Sequence, residues 1–313
     1  MQQILFLTNM EQTAVYLQDA LKLAQQTQEA VAGQVLYVPS DTEWTRDMEK
    51  QLQQAEVVIF PWMGTGLSTK LLSESSSYLL ANKKRHVYLM TGNPEDILHG
   101  GLAEEELKRI NDYYKFGGLQ NWKNLWLWLA QQFLQSGCNA PAPEMLPWDG
   151  IYHPRASKVY DDVEEYSRDF CIAGKPTLAV VFFRNDWLWG NTVFADAVVR
   201  EIEALGCNAL YFFSTSSPDA ASGCGGFKEA LSKYVCADGK CYADVFINTI
   251  KFSLFSIRAC ALDDLTKLNI TVLQAYTLYR SYQEWYENFD GMSAVEVAYS
   301  VSLPEFDGII HSC

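Results

Sequence analysis

Thr177-Leu-Ala-Val-Val-Phe-Phe183 is a continuous apolar run of β-branched and aromatic residues, the pattern of a strand covered on both faces. Arg184-Asn-Asp-Trp-Leu-Trp-Gly-Asn191 follows as a polar and aromatic turn. From 192 to 205 the apolar residues Val193, Phe194, Ala197, Val198, Ile202 and Leu205 recur at three- and four-residue steps, so the spacing predicts a helix. Gly206, free to take a positive φ, stops it. Asn208-Ala-Leu-Tyr-Phe-Phe213 repeats the buried-strand pattern, and Ser214-Thr-Ser-Ser-Pro218 opens another loop. This β-loop-α-β unit puts both loops at one carboxyl edge, where open α/β sheets bind ligands.

The same alternation occupies the amino-terminal part of the chain. Strands are expected at 2–8, 35–38, 55–60 and 84–90, separated by helices at 11–28 and 43–54, a βαβ series that implies a parallel sheet with helices on both faces. The stretch 135–149 holds Gly137, Pro141, Pro143 and Pro147 without a period, which marks a linker. Beyond 213, helices are expected at 226–234 and 257–268 and strands at 243–248 and 270–275. The fold class is therefore α/β with two doubly wound, flavodoxin- or Rossmann-like parallel-sheet domains, an N-terminal one over 1–136 and a second over 157–313, joined by the Pro-rich linker 137–156.

Composition narrows the function. The 313 residues are 49% hydrophobic, enough for two cores. Lys plus Arg number 24 against 38 Asp plus Glu, so the net charge of −14 repels nucleic acid and anionic lipid surfaces. No run reaches the roughly 18 apolar residues of a membrane span, and the start lacks the basic region of a signal peptide, so a cytoplasmic location is expected. The eight cysteines are scattered and read mostly as small buried apolar residues. The Cys236-x4-Cys241 pair near Cys224 has no second knuckle, so its spacing is a weak signal for metal or a disulfide. Pro61-Trp-Met-Gly-Thr-Gly-Leu-Ser-Thr-Lys-Leu71 lacks the Gly-Lys-Ser/Thr of a phosphate loop and the third glycine of a dinucleotide loop. The reading is of a plain strand-to-helix connection, and of a chain that by itself neither hydrolyses ATP nor inserts metal.

Several local patterns resemble the amino-terminal region of the cobaltochelatase large subunit and magnesium chelatase H subunit family. Phe183-Arg-Asn-Asp-Trp-Leu-Trp-Gly-Asn191 is similar to its Tyr-Arg-Ser-x-Trp-x-x-Gly-Asn, with Phe for Tyr and Asn185 for Ser. Tyr113-Tyr-Lys-Phe-Gly-Gly-Leu-Gln-Asn121 with Asn124-Leu125, Gly150-Ile-Tyr-His-Pro154, Ile270-Thr-Val-Leu-Gln-Ala275 and Leu303-Pro-Glu-Phe-Asp-Gly-Ile-Ile310 match further patterns in order. The resemblance implies a large subunit that binds a tetrapyrrole and receives cobalt or magnesium, with ATP hydrolysed by separate AAA+ and adaptor subunits. It leaves no cofactor in this chain, no assigned metal ligand and no assigned catalytic residue. A tetrapyrrole needs aromatic faces and a few polar groups. The candidates are Tyr152, His153, Arg184, Trp187, Asn191 and Gln274, all but Tyr152 expected on the cleft facing the carboxyl ends of the second domain's strands. Arg184 is expected to hold a carboxylate or amide oxygen there, so that Arg184→Ala weakens binding without loss of stability. Relatives are several times longer and the sequence ends within an expected strand, so the chain reads as an amino-terminal piece. The alternative is a stand-alone, non-catalytic two-domain binding module for a small ligand or partner protein, and the length of the encoding gene separates the two.

Overall fold

Residues 3–28, 30–39, 43–63, 70–90, 98–237, 239–250, 268–277, 282–287, 291–292, 297–306 and 310–311 are described by the computed structural model. The chain divides into two units, Met1–Leu146 and Pro147–Cys313.

In the first unit the elements are β1 (Gln3–Thr8), α1 (Glu11–Thr27), β2 (Gly33–Tyr37), α2 (Arg46–Gln54), β3 (Ala55–Trp62), α3 (Lys70–Ala81), β4 (Arg85–Met90), β5 (His99–Gly100), α4 (Glu104–Phe116) and α5 (Leu119–Phe133). The sheet order is β2-β1-β3-β4-β5, parallel except for the last pairing. One face is closed by Leu52, Leu71 and Leu79 against Leu5, Leu7, Val58 and Phe60. Toward α1 and α5 the key is Trp126, fully buried, with its ring centroid 4.6 Å from that of Phe6 and its indole N–H donating to the Leu17 carbonyl at 3.1 Å. A Cβ on Gly33 would lie 2.3 Å from Trp126 Cζ3, so β2 must begin with glycine for the indole to lie flat.

The Tyr-x-x-x-Gly-Gly-x-x-Asn pattern is the hinge between α4 and α5. Gly117 and Gly118 have φ of 70° and 81°, a left-handed pair that side chains resist. Asn121 brackets the chain ahead of the boundary, donating to the Glu144 carbonyl at 2.8 Å and accepting from the Glu144 N–H at 2.9 Å. The Tyr113 hydroxyl donates to the Pro141 carbonyl. This motif does structural work within the first unit.

The second unit comprises β6 (Gly150–Ile151), α6 (Val163–Phe170), β7 (Thr177–Phe183), α7 (Arg184–Leu188), α8 (Val193–Ala204), β8 (Asn208–Ser214), α9 (Gly226–Ala230), β9 (Cys236–Ala237), β10 (Lys240–Cys241), β11 (Val245–Asn248), β12 (Thr271–Gln274) and β13 (Ile310–His311). Its large sheet runs β13-β12-β11-β7-β8-β6, all parallel except β6. Counting only the parallel strands in chain order, this is 2-1-3-4-5, the doubly wound order whose switch point lies between its first and third strands, here β7 and β11. Ala195, Val199 and Ile202 of α8 cover Val180, Phe182, Tyr211 and Phe213. The opposite face packs Phe227, Leu231 and Tyr234 against Val181, Phe212 and Phe246. Both units are thus doubly wound α/β folds.

Several details depart from the sequence reading. The Pro-rich stretch 137–156 is not wholly outside the units: the division falls after Leu146, and Gly150–Ile151 pairs antiparallel with Phe213 and Phe212. Two residues of strand are too short a run to show a period. The turn expected at 184–191 opens as helix α7, and the helix expected over 226–234 changes at Leu231 to a π-helical turn, Leu231–Val235. In α8 the stripe turned to the sheet is Ala195, Val199 and Ile202, while Val193, Phe194 and Leu205 are exposed. This helix has more apolar residues than one stripe can hold, so its period alone admits two orientations. Cys236 and Cys241 face each other across the β9–β10 hairpin and are joined by a disulfide. Cys224 stays free and buried, its Sγ 2.9 Å from Thr215 Oγ1. The glycine-rich residues 64–69 and the expected helix over 257–268, apart from Leu268, lie outside the described residues.

Candidate functional site at the carboxyl edge of the second sheet

Strand direction decides which candidates share an edge. β7, β11 and β12 run parallel, with Val181 beside Asn248 and Asn248 beside Gln274, so Arg184, Asn248, Thr249 and Gln274 all stand at the carboxyl ends. Trp187 joins them, its ring stacked on Phe213 at 4.3 Å and 7°. Asn191 lies at the turn into α8, with Gly190 at φ 68°. Its backbone N–H donates to the Asp186 carbonyl at 2.8 Å and its side chain donates to the Asp186 carboxylate at 3.1 Å.

The groups at this edge are mostly held by one another. Arg184 is 2% exposed; its Nε–H donates to the Pro147 carbonyl at 2.7 Å and its guanidinium lies 4.2 Å from the Trp148 ring centroid. Burial lowers its pKa to about 10, so it stays charged at neutral pH. The Trp148 indole N–H donates to the Ser222 carbonyl at 3.1 Å, and Asp149 receives Lys233 and the Tyr234 hydroxyl. The chain entering β6 is therefore braced from beneath by Arg184, and this guanidinium is placed inside the unit where the sequence reading set it on the cleft surface. Gln274, 1% exposed, accepts from the Asn248 amide at 2.9 Å and donates to the Ile250 carbonyl at 3.3 Å. Asn248 in turn accepts from the Ile250 N–H at 3.1 Å, and the Thr249 hydroxyl donates to the Val181 carbonyl at 2.6 Å. The two amides tie β11 to β12, and Thr249 ties β11 to β7 across the switch point.

The segment that carries Tyr152 and His153 runs the other way. β6 is antiparallel to β8, and the Tyr152 N–H donates to the Tyr211 carbonyl at 2.7 Å, so the chain is travelling toward the amino edge. The Tyr152 hydroxyl donates to Asp196 in the first turns of α8 at 2.6 Å; burial and that carboxylate raise its pKa. His153 reaches the far end of α8, where Nε2 faces Glu203 at 3.3 Å. The Arg155 N–H donates to its Nδ1 at 3.2 Å, which leaves the proton on Nε2. Phe170 stacks on the imidazole at 4.0 Å, and Arg155 forms a two-pronged pair with Glu203, both contacts 2.8 Å. His153 is therefore not brought to the carboxyl edge with Arg184 and Gln274. The glycine of its motif is explained by packing, since a Cβ on Gly150 would lie 2.1 Å from Val159 Cγ1.

A pH dependence follows. Burial, the largest cause, pushes His153 below the ordinary histidine value of 6.5, outweighing the opposing pull of Glu203, and burial does the same to His86 in the first unit. Above 6.5 both histidines are neutral in folded and unfolded chains. Below it the unfolded chain takes protons that the folded chain refuses, so stability falls as the pH drops from 6.5 toward the folded values. NMR titration of the histidine Cε1 protons is expected to show midpoints below 6.5 for His86 and His153; midpoints at or above 6.5 for these two would contradict this.

Sequence reasoning missed Asn248, Thr249, Trp148 and Asp149. Asn248 and Thr249 were legible as a polar pair at a strand end; nothing local in Trp148-Asp149 signals its partners. Among the described residues, no group of three or more His, Cys, Asp or Glu is placed to hold a metal ion, and no helix is long and apolar enough to cross a membrane.

These features define a tandem doubly wound α/β protein whose second unit carries a polar, aromatic carboxyl edge. The chain belongs to the CobN/magnesium chelatase family, whose model matches residues 111–313. It is 28% identical to the aerobic cobaltochelatase subunit CobN of Pseudomonas aeruginosa over 218 residues, 70% of this chain and 16% of that protein. It is also 28% identical to the chloroplastic magnesium-chelatase subunit ChlH of Oryza sativa over 177 residues, 51% of this chain and 12% of that one. The catalytic subunit of cobaltochelatase from Mycobacterium tuberculosis shares the fold, with a TM-score of 0.55 and 19% identity over 99% of this chain and 24% of that one. The matches thus span less than a quarter of each of these relatives.

Proposed function

We propose that this chain is the amino-terminal part of the large, tetrapyrrole-binding subunit of an ATP-dependent metal chelatase, which inserts cobalt into a corrinoid precursor or magnesium into protoporphyrin. The observation that carries the reading is the family match over 111–313, a span that includes the whole carboxyl edge of the second sheet. That edge offers the ring of Trp187 and the exposed Phe194 and Tyr276, the kind of apolar, aromatic surface a macrocycle needs. The buried candidates Arg184 and Gln274 act in this reading by holding the loops in place, and Asn191 by shaping the turn that presents Trp187. Tyr152 holds the first turns of α8 through Asp196 and His153 its far end through Glu203. ATP hydrolysis is assigned to AAA+ and adaptor subunits that the chain would join.

Binding is tested by titrating the purified chain with deuteroporphyrin IX and with a corrinoid precursor and following the absorbance of the macrocycle. A dissociation constant on the order of micromolar, roughly −8 kcal/mol, is expected for at least one. Metal insertion is expected only when the ATP-hydrolysing subunits are supplied. Absence of binding to either macrocycle would sink the reading.

A further inference from the structure

Cys236 stands at a junction. Its N–H donates to the Leu231 carbonyl, ending the π-helical turn Leu231–Val235, and it opens β9. The described ladder of the β9–β10 hairpin consists of two residue pairs, Ala237 with Lys240 and Cys236 with Cys241, and a two-stranded hairpin is marginal by itself. The disulfide is the covalent tie that closes it. Cys241 is exposed and Cys236 half-buried, so the bond is reached from solvent. Both sulfurs also face the Leu268 carbonyl, Cys241 Sγ at 3.5 Å and Cys236 Sγ at 3.9 Å. A disulfide has no proton to give that oxygen, whereas a thiol does, so the surroundings suit the reduced pair as well as the oxidised one.

The turn that Cys236 ends is tied to the carboxyl edge. Within it, the Lys233 ammonium donates to Asp149 at 3.2 Å and to Asp161, and the Tyr234 hydroxyl donates to the same Asp149 oxygen. Asp149 follows Trp148, whose ring lies against Arg184, and precedes β6. π-Helical turns are rare and collect at functional sites. α9 ahead of this one has α-helical spacing. Rewinding 231–235 to that spacing would rotate its side chains by up to about 100° at the last residue, carrying Lys233 and Tyr234 off Asp149.

We infer that the Cys236–Cys241 pair is a redox switch: a dithiol reductant opens the disulfide, the turn 231–235 rewinds to α-helical spacing, and Asp149 loses both partners. The segment 147–151 that Arg184 braces is loosened as a result. In the first step a thiolate of the reductant bonds to the exposed Cys241 sulfur, the S–S bond breaks, and Cys236 leaves as a thiolate that takes up a proton. The reductant's second thiol then displaces Cys241, so two electrons and two protons pass to the pair and the reductant departs as its own disulfide. Exchange with an oxidised thiol closes the bond again.

The test compares the full wild-type chain treated with oxidised glutathione and with dithiothreitol. Thiols are counted by alkylation and peptide mapping, and local opening is followed by hydrogen exchange. Reduction is expected to free Cys236 and Cys241 and to speed exchange in the peptide spanning 147–152 at least about tenfold, with β7 unchanged. Lys233→Met combined with Tyr234→Phe is expected to show the fast exchange at 147–152 already when oxidised, and no further change there on reduction. Faster exchange confined to 236–241 would make the disulfide a local staple and overturn the switch. So would a variant that still responds to reduction as the wild type does, or a wild type in which Cys236 and Cys241 remain free thiols under oxidised glutathione.

Discussion

Arg184→Ala is expected to destabilise the second unit by about 3 kcal/mol, lowering its melting temperature by roughly 6–12 °C at the 2–4 °C per kcal/mol usual for this size. The substitution removes a charge-assisted bond of 2.7 Å to the Pro147 carbonyl and the planar group lying against Trp148, and it leaves a space inside the unit. The loss of packed aliphatic stem adds to the lost hydrogen bond. Arg184→Lys is expected to recover little, because an ammonium has neither the Nε–H in that position nor a flat face for the indole. Differential scanning calorimetry of the three proteins decides the matter. A melting temperature within a degree of wild type for the alanine variant would return Arg184 to the surface role that its place after an apolar strand suggested.

The second large effect is in the first unit. Trp126→Ala is expected to cost about 3–5 kcal/mol, the range for removing a buried aromatic ring. Gly33→Ala alone is expected to cost about 1–3 kcal/mol as overpacking, because its new Cβ would sit 2.3 Å from Trp126 Cζ3. The three atoms nearest the new Cβ all belong to the indole, so the double variant is expected to be little worse than Trp126→Ala. Chemical denaturation of the four proteins gives the coupling directly. Additive losses would mean that Gly33 is required by its backbone and not by the tryptophan.

The two predictions show where reading a sequence stops. Arg184 after an apolar strand and Trp126 in an apolar helix were both visible. The first was expected to face a ligand. What sends Arg184 inward is Pro147, 37 residues earlier, whose carbonyl needs a donor, and Trp148, which offers a face to a cation. The same holds for His153, whose Tyr and Pro neighbours say nothing of Glu203, 50 residues away, or of the Phe170 ring beside it. Gln274 was correctly placed at a strand end, but its partner Asn248 is known only once β11 and β12 are adjacent.

By itself the sequence determined the strands and most helices, because a continuous apolar run in a covered strand and a three- or four-residue step in a helix are local consequences of backbone geometry. It also determined the doubly wound class, since strands alternating with helices leave parallel pairing as the simple solution. Only the tertiary structure decided which stripe of α8 meets the sheet, that Gly150–Ile151 is a strand, that Cys236 and Cys241 pair, and which polar side chains are consumed inside. Those outcomes depend on strand order and on donors and acceptors dozens of residues apart, and a buried polar group is satisfied by whatever partner the fold brings to it.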